Sequence, residues 1–207
     1  MDVSCIVLAG GKGKRLGQDK TAVVVGDRSL LELVVSRLSL FNGNIIIVTA
    51  GKQNFPQLIG FPGLKIVTDI YPGKGSLGGI YTGLANSDSF YNLAVACDMP
   101  FLNRALLRYM LKSSAGYDLV APRLDGKVEP LHAVYSKGCL VAIDGMLKQN
   151  NLTIMDLFKL VRVRYLEAEE IDRFDPNHLS FFNINTEADL RLARELAGRG
   201  DSICDKC

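Results

Sequence analysis

The stretch "IVLAGGKGKRLGQDK", Ile6 to Lys20, decides the fold, because an apolar run passes there directly into a loop rich in glycine and cations. Four glycines and four basic residues share positions 10–20 with a single acid. Glycine reaches left-handed backbone conformations, and successive backbone N–H groups in such a loop form a concave anion site. A loop of this kind at the carboxyl end of a strand indicates a phosphate site rather than a solvated turn.

The segments around this loop predict an α/β fold with a largely parallel sheet. Nearly continuous Val, Ile, Leu and Ala in the strand candidates is typical of a sheet that is covered on both faces. Strands are expected at residues 3–8, 44–49, 64–68 and 93–97. Helical spacing of apolar residues predicts helices at 28–41, 77–85 and 104–111.

The later half of the chain is more mixed. Strands are expected at 119–122, 131–135, 161–166 and 181–184, and helices at 137–147 and 155–160. Capping boxes beginning at Thr153 and Thr186 give the polar residues there a structural explanation. We expect a single domain over residues 1–198, followed by a flexible tail, 199–207.

Composition excludes several classes of protein. The chain has 207 residues, of which 48% are hydrophobic, and its net charge of +2 provides no basic field for nucleic acid or an anionic membrane surface. No apolar run approaches the roughly 18 residues of a membrane span, and Met1-Asp2 lacks a basic signal region. We therefore expect a cytoplasmic protein with no membrane partner.

The five cysteines suit a reducing compartment. Cys5, Cys97 and Cys139 are expected to be small core residues. Cys204 and Cys207 form a C-x-x-C pair, but a zinc site needs two more ligands and the chain has only two histidines. The pair is interpreted as part of the tail.

Two familiar phosphate motifs are absent or only weakly matched. The P-loop pattern G-x-x-x-x-G-K-[ST] does not occur in either glycine-rich stretch. Residues 73–78 match G-x-G-x-x-G formally, but four residues separate Gly73 from the preceding strand, whereas a dinucleotide site needs its first glycine directly after the strand.

Two aspartates end predicted strands. Asp98 follows "NLAVAC" and Asp69 follows "LKIVT". For Asp98 two interpretations are open: it binds Mg²⁺, a hard cation that takes one or two carboxylates together with water and phosphate oxygens, or it caps a helix that begins near Asn103. Thr49 lies at the same edge, where it either contacts a nucleotide or caps its strand.

Five stretches together resemble the molybdenum cofactor guanylyltransferase family. They are "LAGGKGKRLGQDK", "GSLGGI", "ACDMPFL", "EPLHAVY" and "FFNINTEADL". The first and third are shared with other nucleotidyltransferases, and the last two point to molybdopterin. The resemblance implies a three-layer, Rossmann-like α/β fold with a mostly parallel mixed sheet, and the transfer of GMP from GTP to molybdopterin with Mg²⁺ and release of pyrophosphate.

The resemblance and the loop together assign the site. Arg15, Lys20 and Asp98 are the expected catalytic residues, and Asp98 is the expected metal ligand. The expected nucleotide contacts are Leu8, Ala9, Gly10, Gly11, Lys20, Thr49, Asp69 and Asp98. Ser76 and Gly78 replace the family's usual proline and alanine, which predicts a more mobile loop and leaves guanine specificity less secure than the reaction type.

The last two stretches are expected on the side of the second substrate. His132, between Leu131 and Ala133, is interpreted as a satisfied core histidine in preference to a catalytic one. Asn183 and Asn185 are candidates for binding metal or the pterin phosphate. Transient contacts with other cofactor-biosynthesis proteins are also implied by the resemblance.

Two alternatives remain open at this stage. The first is a cytidylyltransferase, or another nucleotidyltransferase, on the same fold. The second is a regulator that binds nucleotide without turnover, which would release no pyrophosphate when molybdopterin is added.

Overall fold

The computed structural model describes residues 3–10, 20–41, 43–51, 55, 58 and 60–198, with Lys20 described by its backbone alone. The strands are β1 (Val3–Leu8), β2 (Val24–Val25), β3 (Arg28–Ser29), β4 (Ile45–Thr49), β5 (Leu64–Thr68), β6 (Tyr91–Ala96), β7 (Leu119–Leu124), β8 (Lys127–Val128), β9 (His132–Ser136) and β10 (Val163–Leu166). The helices are α1 (Leu30–Leu38), α2 (Gly75–Ala85), α3 (Arg104–Lys112), α4 (Cys139–Lys148), α5 (Ile154–Leu157), α6 (Ala168–Ile171) and α7 (Glu187–Gly198).

The central sheet is mixed and mostly parallel. Its strand order is β10-β7-β9-β6-β1-β4-β5, with β8 paired to β7. β6, β1, β4 and β5 pair in parallel, as do β7 and β10, whereas β9 runs antiparallel to β6 and β7. The predicted fold class is confirmed.

Alternate side chains of each central strand enter different cores. Cys5 and Val7 of β1 pack with buried residues of α1 and α3 on one face, and Ile6 packs with α2 and α4 on the other. Helices therefore cover both faces of the sheet and make three layers, which explains why β1 is apolar throughout.

A third, smaller core lies beside the end of the chain. Buried residues of the β2–β3 hairpin, α1 and α7 pack there with Phe101 and Ile184. Phe101 lies in the segment that follows β6, and Ile184 lies in the segment that precedes α7. Their packing in this core therefore holds both segments at the carboxyl end of β6.

Three predictions of local structure were wrong in detail. The strand expected at 181–184 is a 3₁₀ turn, Leu179–Phe181, followed by an extended connection. The helix expected at 28–41 begins at Leu30, because Arg28–Ser29 pair with β2 and Ser29 forms a capping box with Glu32. Thr153 makes no side-chain cap: the Asp156 N–H donates to Thr153 O at 2.9 Å, and the Asp156 carboxylate accepts from Asn151 and Lys159.

The capping box at Thr186 is confirmed. The backbone N–H of Asp189 donates to Thr186 Oγ1, and that of Thr186 donates to Asp189 Oδ2. The core positions of Cys5, Cys97 and Cys139 are confirmed as well, and burial raises the pKa of Cys5 and Cys139 to about 12. Among the described helices, none has the length and apolar character needed to cross a membrane. Cys204, Cys207 and the predicted tail lie outside the described residues.

Candidate active site

The carboxyl ends of the parallel strands are joined by backbone hydrogen bonds just beyond the sheet. Ala9 N–H donates to Val48 O at 2.9 Å, Cys97 N–H to Leu8 O at 3.2 Å and Asp69 N–H to Thr49 O at 2.7 Å. These bonds place the first residues after β1, β5 and β6 along one edge. The sequence prediction that Asp69 and Asp98 share this edge is confirmed.

A cleft of about 590 Å³ opens at that edge. It is lined by residues that follow β1, β4, β5 and β6, by the first turn of α2, and by two later segments. The lining residues are Leu8, Gly10, Val48, Thr49, Ala50, Asp69, Gly73, Gly75, Ser76, Gly79, Ala96, Cys97, Asp98, Met99, Glu129, Leu131, Asn183 and Asn185. Of the expected nucleotide contacts, Leu8, Gly10, Thr49, Asp69 and Asp98 line this cleft, and Ala9 is buried beside it.

We call the part of the cleft at Thr49, Asp69 and the first turn of α2 the first end. Asp69 is held rigidly there, because its Oδ1 accepts from the Tyr71 N–H at 2.9 Å and from the Thr82 hydroxyl at 2.8 Å. Thr82 also accepts from the Ile70 N–H at 3.1 Å and is fully buried. These bonds fix the direction of the Asp69 carboxylate.

Thr49 is buried at the first end, and its hydroxyl hydrogen is already engaged. Oγ1 donates to Gly51 O at 2.6 Å and lies 3.3 Å from Val67 O. These contacts agree with the alternative in which Thr49 caps its strand. Contact between Thr49 and a ligand stays a prediction.

The first turn of α2 completes the first end. No side chain caps this helix, and Lys74 directs its Nζ to Asn150 Oδ1 at 2.7 Å. Ser76 and Gly78, which were expected in a loop, lie in this helix, and a Cβ atom at Gly78 would lie 2.9 Å from Tyr71 O, so glycine allows the close packing here.

Asp98 is half-buried at the end of β6, which lies between β9 and β1 in the sheet, so it lines the cleft between the first end and the residues that precede β9. Its carbonyl accepts from the Ile184 N–H at 3.0 Å, which joins the end of β6 to the segment before α7. Asn103 caps α3 itself, since its Oδ1 accepts from the Leu106 N–H at 3.0 Å. The alternative role of Asp98 as the cap of that helix is therefore filled by another residue.

The second end of the cleft consists of Glu129, Leu131, Asn183 and Asn185. Glu129 was not among the predicted site residues. Burial raises the pKa of its carboxyl group, the Leu131 N–H lowers it, and the nearby Asp98 raises it. Asp125-Gly126, directly before β8, is the typical signal of a tight hairpin turn and would have predicted that the chain returns here.

His132 is fully buried and is absent from the cleft lining. Its ring packs on Phe181 with centroids 4.8 Å apart, and burial lowers its pKa to about 3. The interpretation as a core histidine is confirmed, but that of a satisfied one is wrong, because neither ring nitrogen has a hydrogen-bond partner among the described atoms.

The described lining carries three carboxylates, Asp69, Asp98 and Glu129, and no basic side chain. Within the described ranges no group of three or more His, Cys, Asp or Glu residues is arranged to hold a metal. A site with one protein carboxylate and several water or phosphate ligands suits Mg²⁺, so the residues present fit this ion. Gly11, Arg15 and the Lys20 side chain lie outside the described residues.

Comparison with known families and proteins extends these findings. The family model of the MobA-like NTP transferase domain matches residues 5–165. A probable molybdenum cofactor guanylyltransferase of Pelotomaculum thermopropionicum is 38% identical over 192 residues, covering 93% of this chain and 92% of the relative.

Solved structures show the same fold. The molybdopterin-guanine dinucleotide biosynthesis protein A of Archaeoglobus fulgidus superposes with a TM-score of 0.83 at 29% identity, covering 95% of this chain and 99% of that one. A 4-diphosphocytidyl-2C-methyl-D-erythritol synthase of Anaerococcus prevotii superposes with a TM-score of 0.72 at 16% identity, over 96% of this chain and 99% of that one, and shows a likeness of fold alone.

Proposed function

We propose, because the chain belongs to the MobA-like NTP transferase family and is a nucleotidyltransferase, that it transfers GMP from GTP to the terminal phosphate of molybdopterin. The products are molybdopterin guanine dinucleotide and pyrophosphate. The observation that carries this proposal is the cleft itself, in which the strand-end carboxylates Asp69 and Asp98 share one cavity with Glu129 and Asn183.

In this proposal GTP lies along the carboxyl edge of the sheet. Its nucleoside occupies the first end, near Thr49 and Asp69, and its phosphates extend toward Asp98 and the glycine-rich loop. The rigid Asp69 carboxylate supports this placement, because a preorganised acceptor loses little conformational entropy when a ligand's hydroxyl or N–H group binds it.

The acceptor binds at the second end. One of its phosphate oxygens attacks the α-phosphorus of GTP in line with the bond to the β-phosphate. That bond breaks, and its electron pair leaves with pyrophosphate. The attacking oxygen is already anionic, so the reaction needs no protein nucleophile and depends on alignment and charge stabilisation.

The protein's part is to position the two substrates and to balance charge. Arg15 and Lys20 are assigned to the leaving pyrophosphate by their place in the loop after β1. Asp98 would hold Mg²⁺, which supplies positive charge to the phosphates when bound. The excess of carboxylates in the described lining supports this assignment, because a polyphosphate beside them requires a cation.

Release of pyrophosphate tests the proposal. The enzyme is incubated with molybdopterin, Mg²⁺ and each of GTP, CTP, ATP and UTP in turn, and then with GTP alone. The proposal predicts release with GTP that depends on both molybdopterin and Mg²⁺. A preference for CTP would identify a cytidylyltransferase, and tight GTP binding without release would identify a regulator; either result rejects the proposal.

A further inference from the structure

Glu129 is placed at the second end of the cleft by two strands that return to the sheet. Its N–H donates to Pro122 O at 3.1 Å, which ties it to β7, and Leu131 O accepts from the Ala96 N–H at 3.0 Å, which ties the next residues to β6. The side chain is half-buried and lines the same cavity as Asp98. Its position therefore depends on both neighbouring strands.

The carboxylate of Glu129 is only partly engaged. Oε1 accepts from the Leu131 N–H at 3.2 Å, and within the described part of the chain Oε2 has no hydrogen-bond partner and the group has no ion pair. A half-buried carboxylate in this state loses hydration without a full replacement. A ligand with hydrogen-bond donors would form the hydrogen bonds to Glu129 that the protein itself does not form.

The chemistry of the cleft limits what that ligand is. A phosphate group brings only acceptors and negative charge, so it is a poor partner for Glu129. The proposed function already assigns Mg²⁺ to Asp98, and among the described residues no group of three or more candidate ligands is present to hold a second ion. A neutral group with adjacent N–H donors would complete the hydrogen bonding of the Glu129 carboxylate without adding negative charge to the cleft.

We propose that Glu129 selects the acceptor by binding the 2-amino-4-oxo edge of its pterin ring. The N3–H and 2-amino groups of that edge lie side by side, and the two oxygens of a carboxylate accept one hydrogen bond from each. The inference rests on the proposed function, which places the acceptor at this end of the cleft. Guanine carries the same edge, but the proposed function assigns it to the opposite end, at Thr49 and Asp69.

Equilibrium binding tests this role apart from turnover. A stable pterin phosphate and its lumazine counterpart, in which an oxo group replaces the 2-amino group, are titrated by their fluorescence in the presence of Mg²⁺. Loss of one donor leaves the carboxylate incompletely paired, so the wild-type protein is expected to bind the pterin at least ~10-fold more tightly. Glu129→Gln is expected to reduce this preference to within about twofold, because the amide offers a donor where the carboxylate offered an acceptor.

Asp125→Asn is the matched control. Asp125 lies in the same hairpin, is exposed, and has a φ of 49° that asparagine tolerates. The substitution removes one negative charge from the hairpin turn without changing the cleft lining, and the pterin preference is expected to stay at the wild-type value. Thermal unfolding of both variants checks that each is folded.

Two outcomes overturn the inference. Equal affinity of the wild-type protein for pterin and lumazine does so even if Glu129→Gln fails to fold. An unchanged preference in Glu129→Gln does so as well, whether or not its affinity for GTP falls. Release of pyrophosphate from GTP by the wild-type protein is measured separately. If that activity is present, the proposed function stands even when a binding result overturns the role of Glu129.

Discussion

The two ends of the cleft are built in different ways. The first end lies at the ends of parallel strands that are joined by backbone hydrogen bonds, and its Asp69 accepts two hydrogen bonds from within the protein. The second end comes from a short hairpin and an extended connection, and its Glu129 accepts one. A preorganised end and an end with unused hydrogen-bonding capacity suit the two different substrates of the proposed reaction.

Asp98 lies between the ends, so its replacement should affect both substrates and give the largest effect. If the metal that it holds is worth about three decades of rate, Asp98→Ala lowers kcat/KM ~10³-fold, or about 4 kcal/mol of barrier. Pyrophosphate release measures this. Asp88→Ala, an exposed acid before the opposite end of β6, is the control and should keep full activity. Activity of Asp98→Ala within tenfold of the wild type would remove Asp98 from the metal site.

Gly83→Ala tests the support under the first end. A Cβ atom at Gly83 would lie 2.4 Å from Cγ2 of the buried Ile6, so an alanine there would force α2 away from β1. Overpacking of this kind costs about 1–3 kcal/mol, and we expect that loss in the free energy of unfolding measured with urea. Gly145→Ala in α4, where no atom lies within 4 Å, should be neutral or stabilising by up to about 1 kcal/mol. Equal effects at the two glycines would contradict the packing argument.

Thr82→Val tests whether the first end acts independently of the second. The substitution removes the hydrogen bonds to Asp69 and Ile70, at a cost of about 1–3 kcal/mol of stability for the buried groups left unpaired. Because Asp69 loses its orientation, KM for GTP should rise by about tenfold while KM for the acceptor stays within about twofold. Thr82→Ser keeps the hydroxyl and should keep the wild-type KM for GTP. A rise in both KM values would show that the two ends are coupled.

His132→Leu tests the core behind the second end. The pKa of His132 is about 3 in the folded protein and about 6.5 in the unfolded chain. Between these values the unfolded chain binds the extra proton, so the wild-type protein loses stability as the pH falls, by up to about 1.4 kcal/mol per pH unit from this group.

The measurement is the free energy of unfolding of wild type and His132→Leu at several pH values from 7 to 4.5. The leucine variant should be as stable as the wild type at pH 7, because His132 has no hydrogen-bond partner in the described structure to lose, and less sensitive to acid. Parallel pH dependences in the two proteins would show that His132 is not buried in its neutral form.

The sequence was sufficient for the first end, because its features are local. The bounds expected for β1 and β5 are those observed, and a parallel strand places the residue that follows it at a fixed edge, so Asp69 and Asp98 could be assigned there without knowledge of the strand order. The apolar runs also predicted a sheet with helices on both faces.

The second end could not be predicted from local patterns: only the resemblance of stretches 129–135 and 181–190 pointed to it, and it gave Asn183 and Asn185 but not Glu129. Glu129 reaches the cleft only because the β7–β8 hairpin reverses the chain and β9 then pairs antiparallel with β6, which is a long-range pairing. The apolar stretch 181–184 was expected to be a strand, but Phe181 packs on His132 and Ile184 enters the third core instead. Tertiary packing overrode the local preference there.

The central claim is that Asp98 separates a nucleoside end from an acceptor end. A crystal structure with Mn²⁺ and the α,β-methylene analogue of GTP tests it most directly, because the anomalous scattering of manganese locates the metal. The account predicts manganese at Asp98 with the guanosine beside Thr49 and Asp69. Manganese away from Asp98, or a guanine ring between Glu129 and Asn183, would contradict it.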